Sequence, residues 1–103
     1  TYIEAARKLA ELTISAAPKD NASQIRNAVI RTVSRHANSR ELALLDGLYR
    51  QRLAHYESNA EAVDKLLAVG ASPINSKLNR AELAAMTDVC LAILNLSETI
   101  TRK

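Results

Sequence analysis

The residues able to do chemistry in this chain are few and scattered. Cys90 is its only cysteine, so no disulfide forms within it and the redox compartment stays open. A nucleophilic thiol needs a helix N-terminus or a nearby cation to lower its pKa. Cys90 instead sits between Met86 and Leu94, one turn away on either side, and reads as a small, inert core residue. His36 and His55 are the only histidines, and neither has a cysteine or carboxylate at metal-ligand spacing. His36 fits a cation near a helix C-terminus and His55 a surface position. No metal, no cofactor and no catalytic residue is expected.

Arg31 and Arg35 share a helix face, with Arg40 beyond the next turn. No aromatic residue interleaves with this basic patch, and no glycine-rich loop is present to cradle a phosphate, so a solvated face is the better reading. The net charge of +3 and the pI near 9.3 raise the question of nucleic acid. Acids are interspersed among the bases, which speaks against it. Asn21-Ala-Ser and Asn95-Leu-Ser match the glycosylation triplet, a pattern that recurs by chance, and Asn95 falls inside a predicted helix.

The elements carrying these residues are helices. Of the 103 residues 48% are hydrophobic, with no Trp or Phe and only two Gly and two Pro, so an aliphatic core is expected and strands lack their punctuation. Asn21, Asn38 and Asn79 are each followed three residues later by Gln24, Glu41 and Glu82, the spacing of a capping box, and Asn59 precedes a fourth run. Five helices follow. The first spans about Ile3 to Ala16, with Ile3, Ala6, Ala10 and Ile14 on one stripe. The second spans about Ala22 to His36, carrying Ile25, Ala28, Val29, Thr32 and Val33 inward. The third spans about Ser39 to Glu57, with Leu42, Leu45, Tyr49, Leu53 and Tyr56 in line. The fourth, about Ala60 to Val69, presents Val63, Leu66 and Leu67, and Gly70 stands where a left-handed cap is wanted. After a loop from Ala71 to Leu78, the fifth spans about Arg80 to Leu96.

The fifth helix is apolar nearly all round (Leu83, Met86, Val89, Cys90, Ile93, Leu94 and Leu96), with a narrow polar strip of Asp88 and Asn95. Such a helix belongs in the middle of a bundle. The expected fold is all-α, a compact bundle of about five helices forming one domain over residues 1–103. Leu44 and Leu48 fall to one side of the stripe on the third helix and widen its apolar face. The expectation is that this helix is wedged between two neighbours, because so small a domain cannot spare leucines. The alternative makes Leu44 and Leu48 a docking face.

Two ordered blocks carry a resemblance. One is Lys65-Leu66-Leu67-Ala68-Val69-Gly70-Ala71-Ser72-Pro73 followed by Asn79-Arg80-Ala81-Glu82-Leu83-Ala84-Ala85; the other runs from Leu94-Asn95-Leu96-Ser97-Glu98 to Thr99-Ile100-Thr101-Arg102-Lys103. Together they resemble the C-terminal part of a planctomycete domain of unknown function, found in large proteins that also carry cytochrome-c-like domains. Ala5-Ala6-Arg7, the Arg35-to-Leu42 turn and the stretch from Tyr56 to Asn59 fit the same pattern, so the resemblance spans nearly the whole chain. The sequence departs from it at His36-Ala37, where the family tends to have a proline-containing turn, and at Ser97, where an Asp is usual.

The resemblance implies a C-terminal segment of a larger protein, exported to the periplasm or cell surface, with partners in upstream domains of the same chain or in another protein. It supplies no active residue to carry over. No Cys-x-x-Cys-His is present, so any haem would be held elsewhere. The chain opens on Thr1 with no initiator Met, in keeping with a piece of something longer. No stretch approaches the roughly 20 apolar residues of a membrane span. The leading functional reading is a non-catalytic helical scaffold or docking segment. The alternatives are a small basic nucleic-acid-binding module, or part of an enzyme whose catalytic residues lie upstream.

Overall fold

The computed structural model describes residues 2–17, 19–33, 38–68 and 79–101, and the side chains of these apart from residue 2 and residues 96–101. Every regular element among them is a helix: α1 (Tyr2–Ala16), α2 (Asn21–Val33), α3 (Ser39–Glu57), α4 (Ala60–Leu67) and α5 (Arg80–Thr101). The all-α bundle of five helices is the one expected. α5 runs five residues beyond its predicted end. The predicted continuations of α2 to His36 and of α4 to Val69, with Gly70 and the following loop, lie outside the described residues.

Three of the four asparagines start helices as their spacing predicts. Asn38 completes a capping box: its Oδ1 accepts from the Glu41 amide at 2.8 Å, while its own amide donates to Glu41 Oε1 at 3.0 Å. Asn59 Oδ1 accepts from the Ala62 amide and Asn79 Oδ1 from the Glu82 amide, at 3.1 and 3.0 Å. Each bond satisfies a first-turn amide that the helix itself leaves without a partner.

Asn21 is different, because it is already inside α2. The cap there is Asp20, whose Oδ1 accepts from the Ser23 amide at 3.2 Å and whose Oδ2 accepts from the Ser23 hydroxyl at 2.7 Å. Gln24, expected to close a box on Asn21, is buried instead and donates Nε2–H to the Ala17 carbonyl at the end of α1, 2.7 Å away. The helix start moves by one residue, since Asp and Asn are equally good caps and Ser23 reaches only Asp20.

α5 is the centre of the bundle, packing against all four other helices. Leu83, Met86, Val89, Cys90 and Ile93 are buried on it, as are Ala84, Ala85 and Thr87. Around it sit Ala6, Ala10 and Ile14 from α1, Ile25, Ala28 and Val29 from α2, Leu45, Tyr49 and Tyr56 from α3, and Val63 and Leu67 from α4. Ala6 and Ala10 on α1 and Ala28 on α2 present little side-chain bulk to this core. Buried threonines are satisfied within their own helices: Thr13 donates to the Ala10 carbonyl and Thr87 to that of Leu83.

The wedge expected for α3 holds at Leu48 and fails at Leu44. Leu44 is 68% exposed, whereas Leu48 is half-buried and packs at the edge of the core. α3 lays its inner stripe on α5, with α2 and α4 at its sides, and the face centred on Gly47 is left uncovered. Leu44 lies about 60° and Leu48 about 100° from Gly47 around the helix, so only the second reaches the core edge.

The caps generate a discriminating experiment. Asn38→Ala should lower stability by about 0.5–2 kcal/mol in denaturant unfolding. Asp20→Ala should be destabilising while Asn21→Ala is close to neutral; the reverse order would put the cap on Asn21. Hydrogen bonds from the Ser23 hydroxyl and amide hold the Asp20 carboxyl below its ordinary value. Its contribution is therefore present above the ordinary carboxylate range and lost as pH falls through the lowered pKa.

Candidate functional site

The densest set of functional groups among the described residues joins α3 to α5. Asp88 is the one carboxylate on the buried length of α5, and such a group needs partners. Arg52 Nε donates to Asp88 Oδ2 at 2.8 Å, and the Tyr56 hydroxyl donates to the same oxygen at 2.7 Å. Arg52 Nη2 also lies 3.3 Å from the Tyr56 hydroxyl, and the guanidinium carbon stands 5.1 Å from the centre of the Tyr56 ring. Arg52 and Tyr56 are one turn apart on α3, which is why both reach one oxygen.

The electrostatics of this cluster suit structure better than catalysis. Bonds to Tyr56 and Asp88 push the Arg52 guanidinium further up. Burial raises the Tyr56 phenol, so it stays protonated and donates to Asp88 at neutral pH. A general base would need a free lone pair directed at solvent. Here the Tyr56 hydroxyl and the Arg52 guanidinium are both directed at Asp88 Oδ2.

Beside the cluster lies an open groove of about 360 Å³, where the end of α3 meets α4 and the start of α5. Tyr56, Ala60, Val63 and Ala81 give it apolar walls, and Glu57, Asp64, Asn79 and Arg80 line its polar part. Arg80 and Asp64 bridge it with an ion pair of 2.7 Å.

A second anchor was not foreseen. Arg7 of α1 is buried, and its Nη1 donates to the Leu67 carbonyl at 3.1 Å. That carbonyl closes α4, where the helix lacks amide partners and its dipole favours a cation. The arginine thus ties the end of the shortest helix to α1. Nothing in its neighbours Ala5 and Ala6 signals this role. Asp88 was visible as a lone acid on an apolar helix, but its partner stands 36 residues away.

The remaining expected positions are dispersed. Cys90 is fully buried, and desolvation pushes its thiol up to about 12. His55 is exposed in the last turn of α3, edge-on to the Tyr56 ring at 5.2 Å. Arg31 and Arg40 are exposed, and Arg31 is bonded to Asn27 on its own helix. Arg35 and His36 lie outside the described residues. Asn95 of the second glycosylation triplet is helical and exposed. Among the described residues no three His, Cys, Asp or Glu are grouped to hold a metal ion, and no helix is long and apolar enough to cross a membrane.

The outer face of α3 is the other candidate. Leu44 stands there with Ala43, Gly47, Gln51 and Ala54, all exposed. A Cβ built on Gly47 would meet no atom within 4 Å. The fold therefore has no steric need for glycine at this mid-helix position, where it costs about 0.5–1 kcal/mol relative to alanine.

No family model matches the chain, and neither a curated protein nor a solved structure does.

Two experiments follow from these environments. Asp88→Ala should cost about 1–2 kcal/mol, less than a fully buried charged pair because Arg52 is partly solvated. Combined with Arg52→Ala, the loss should fall well short of the sum; strict additivity would deny the coupling. Separately, Cys90 should react with a thiol reagent at pH 8 only on unfolding. Burial raises Cys90 from 9.0 and Tyr49 from 10.0, both to about 12, and raises Tyr56 as well. Raised values mean stability that is complete below the unfolded pKa and lost as pH climbs through the folded one. The melting temperature should fall from about pH 9 upward, and Cys90→Ala should delay the onset towards about pH 10.

Proposed function

We propose that this chain is a non-catalytic helical scaffold or docking segment of a larger, exported multidomain protein of the planctomycete type. The observation that carries the docking element is Leu44, 68% exposed on a helix whose core-facing stripe is already complete without it. A soluble helix normally turns charged or polar groups outward. The middle of this outer face has Ala43, Leu44, Gly47 and Ala54 with Gln51 as the polar member, mostly small or apolar groups that suit contact with another helix.

The non-catalytic part rests on how the polar groups are used. Arg52, Tyr56 and Asp88 satisfy one another, Arg80 is held by Asp64, and the Cys90 thiol is shut away in the core. The proposed setting, beside upstream domains at the periplasm or cell surface, rests on the resemblance of the two sequence blocks.

Leu44→Glu tests the docking face. The variant should keep its melting temperature, because the side chain is exposed, with a stability change within about 0.5 kcal/mol. In sedimentation velocity it should lose an assembly that the unmodified chain forms. Unfolding of the variant would return Leu44 to the core, and a variant unchanged in both stability and assembly would defeat the docking reading.

A further inference from the structure

We infer that the outer face of α3 pairs with a second copy of this chain, antiparallel and two-fold symmetric about Gly47. The inference rests on the docking reading above and names its partner. Its basis is the arrangement of groups around Gly47, which is self-complementary.

At about 100° per residue, Leu44 and Leu48 lie to one side of Gly47 and Asp46 and Arg50 to the other. One edge of the face is therefore apolar and the other is charged. Asp46 and Arg50 are already an ion pair of 3.0 Å, with Arg50 79% exposed and Asp46 at the rim. Between the edges run the small residues Ala43, Gly47 and Ala54, with the polar Gln51 and Arg40 beside them on the side of Leu44. The open space over Gly47 leaves room for a second backbone to approach.

A two-fold axis at Gly47, perpendicular to α3, places like edges together and reverses the helix direction. At about 1.5 Å per residue, Leu44 of one copy then lies within about 3 Å, along the axis, of Leu48 of the other, and the reverse contact repeats it. On the opposite edge Arg50 comes level with Asp46 of the second copy to the same tolerance, so each ion pair extends across the interface. Arg40, near the positive N-terminal end of α3, meets Ala54 near the negative C-terminal end of the second α3, with Glu57 one turn on. A parallel two-fold pairing would set the apolar edge of one copy against the charged edge of the other, leaving Asp46 and Arg50 facing leucines. Charge complementarity thus selects both the second copy and its direction. One 19-residue helix per copy is a small interface, in the class of weak and concentration-dependent association.

Disulfide trapping tests this directly, and Cys90 is buried and silent in it. Gly47→Cys should fold, since the added side chain meets open space, and should give a covalent dimer under mild oxidation. Arg40→Cys alone should not, because two copies of that position stand about 21 Å apart along the axis. Arg40→Cys combined with Ala54→Cys should crosslink again. In sedimentation equilibrium over a concentration series, Asp46→Arg should weaken dimerisation about tenfold, and Asp46→Arg with Arg50→Asp should restore it. Absence of crosslinking at Gly47→Cys, or equal crosslinking at Arg40→Cys, would overturn the antiparallel pair. If Leu44→Glu still abolishes assembly in that case, the docking face stands and only its partner is wrong. If Leu44→Glu is silent too, both fall.

Discussion

The structure depends on one constraint: α5 is apolar on almost every side and must be covered on nearly all of them. Leu83, Met86, Val89 and Ile93 each contribute about 1.5–3 kcal/mol if removed fully from water, and all four are buried. No single neighbour covers a cylinder, so four shorter helices surround it. Their composition follows from that task. α1 brings Ala6, Ala10 and Ile14 and α2 brings Ile25, Ala28 and Val29, while α3 and α4 bring the larger Leu45, Tyr49, Tyr56, Val63 and Leu67. The few polar groups admitted serve the same arrangement. Asp88 fixes α3 against α5 through Arg52 and Tyr56, and Arg7 fixes the end of α4 against α1.

Local signals in the sequence proved sufficient for the elements. An Asn cap has a short-range mechanism, and Asn38, Asn59 and Asn79 each find the expected amide. At α2 the same mechanism had two adjacent candidates, and Ser23 decided for Asp20. That decision is a side-chain geometry no spacing rule contains. The place of α5 was legible because all-round apolarity has only one stable setting in so small a bundle.

Long-range choices were not legible. Arg7 resembles any helical surface arginine until α4 is folded against it, and Gln24 reads as a first-turn polar residue until α1 ends beside it. The outcome at Leu44 turned on which arc of α3 faces α5, set by Tyr49, Tyr56 and the anchor at Asp88 rather than by the count of leucines. Function was less legible still, for a physical reason: the least exposed charged groups, Arg7, Arg52 and Asp88, are engaged in holding helices together. The docking role proposed above rests on the outer face of α3, and a surface shows its meaning only through the partner it fits.

The central claim is that α5 is the shared core of all the helices, so that its middle opens only when the whole bundle unfolds. Native-state hydrogen exchange measures this directly. The amides from Leu83 to Ile93 should exchange with an opening free energy equal to that of global unfolding by denaturant, and with the same denaturant dependence. Exchange of that stretch through a smaller opening, with α1 and α3 still protected, would contradict the account, because it would mean that the outer helices hold together without the helix they surround.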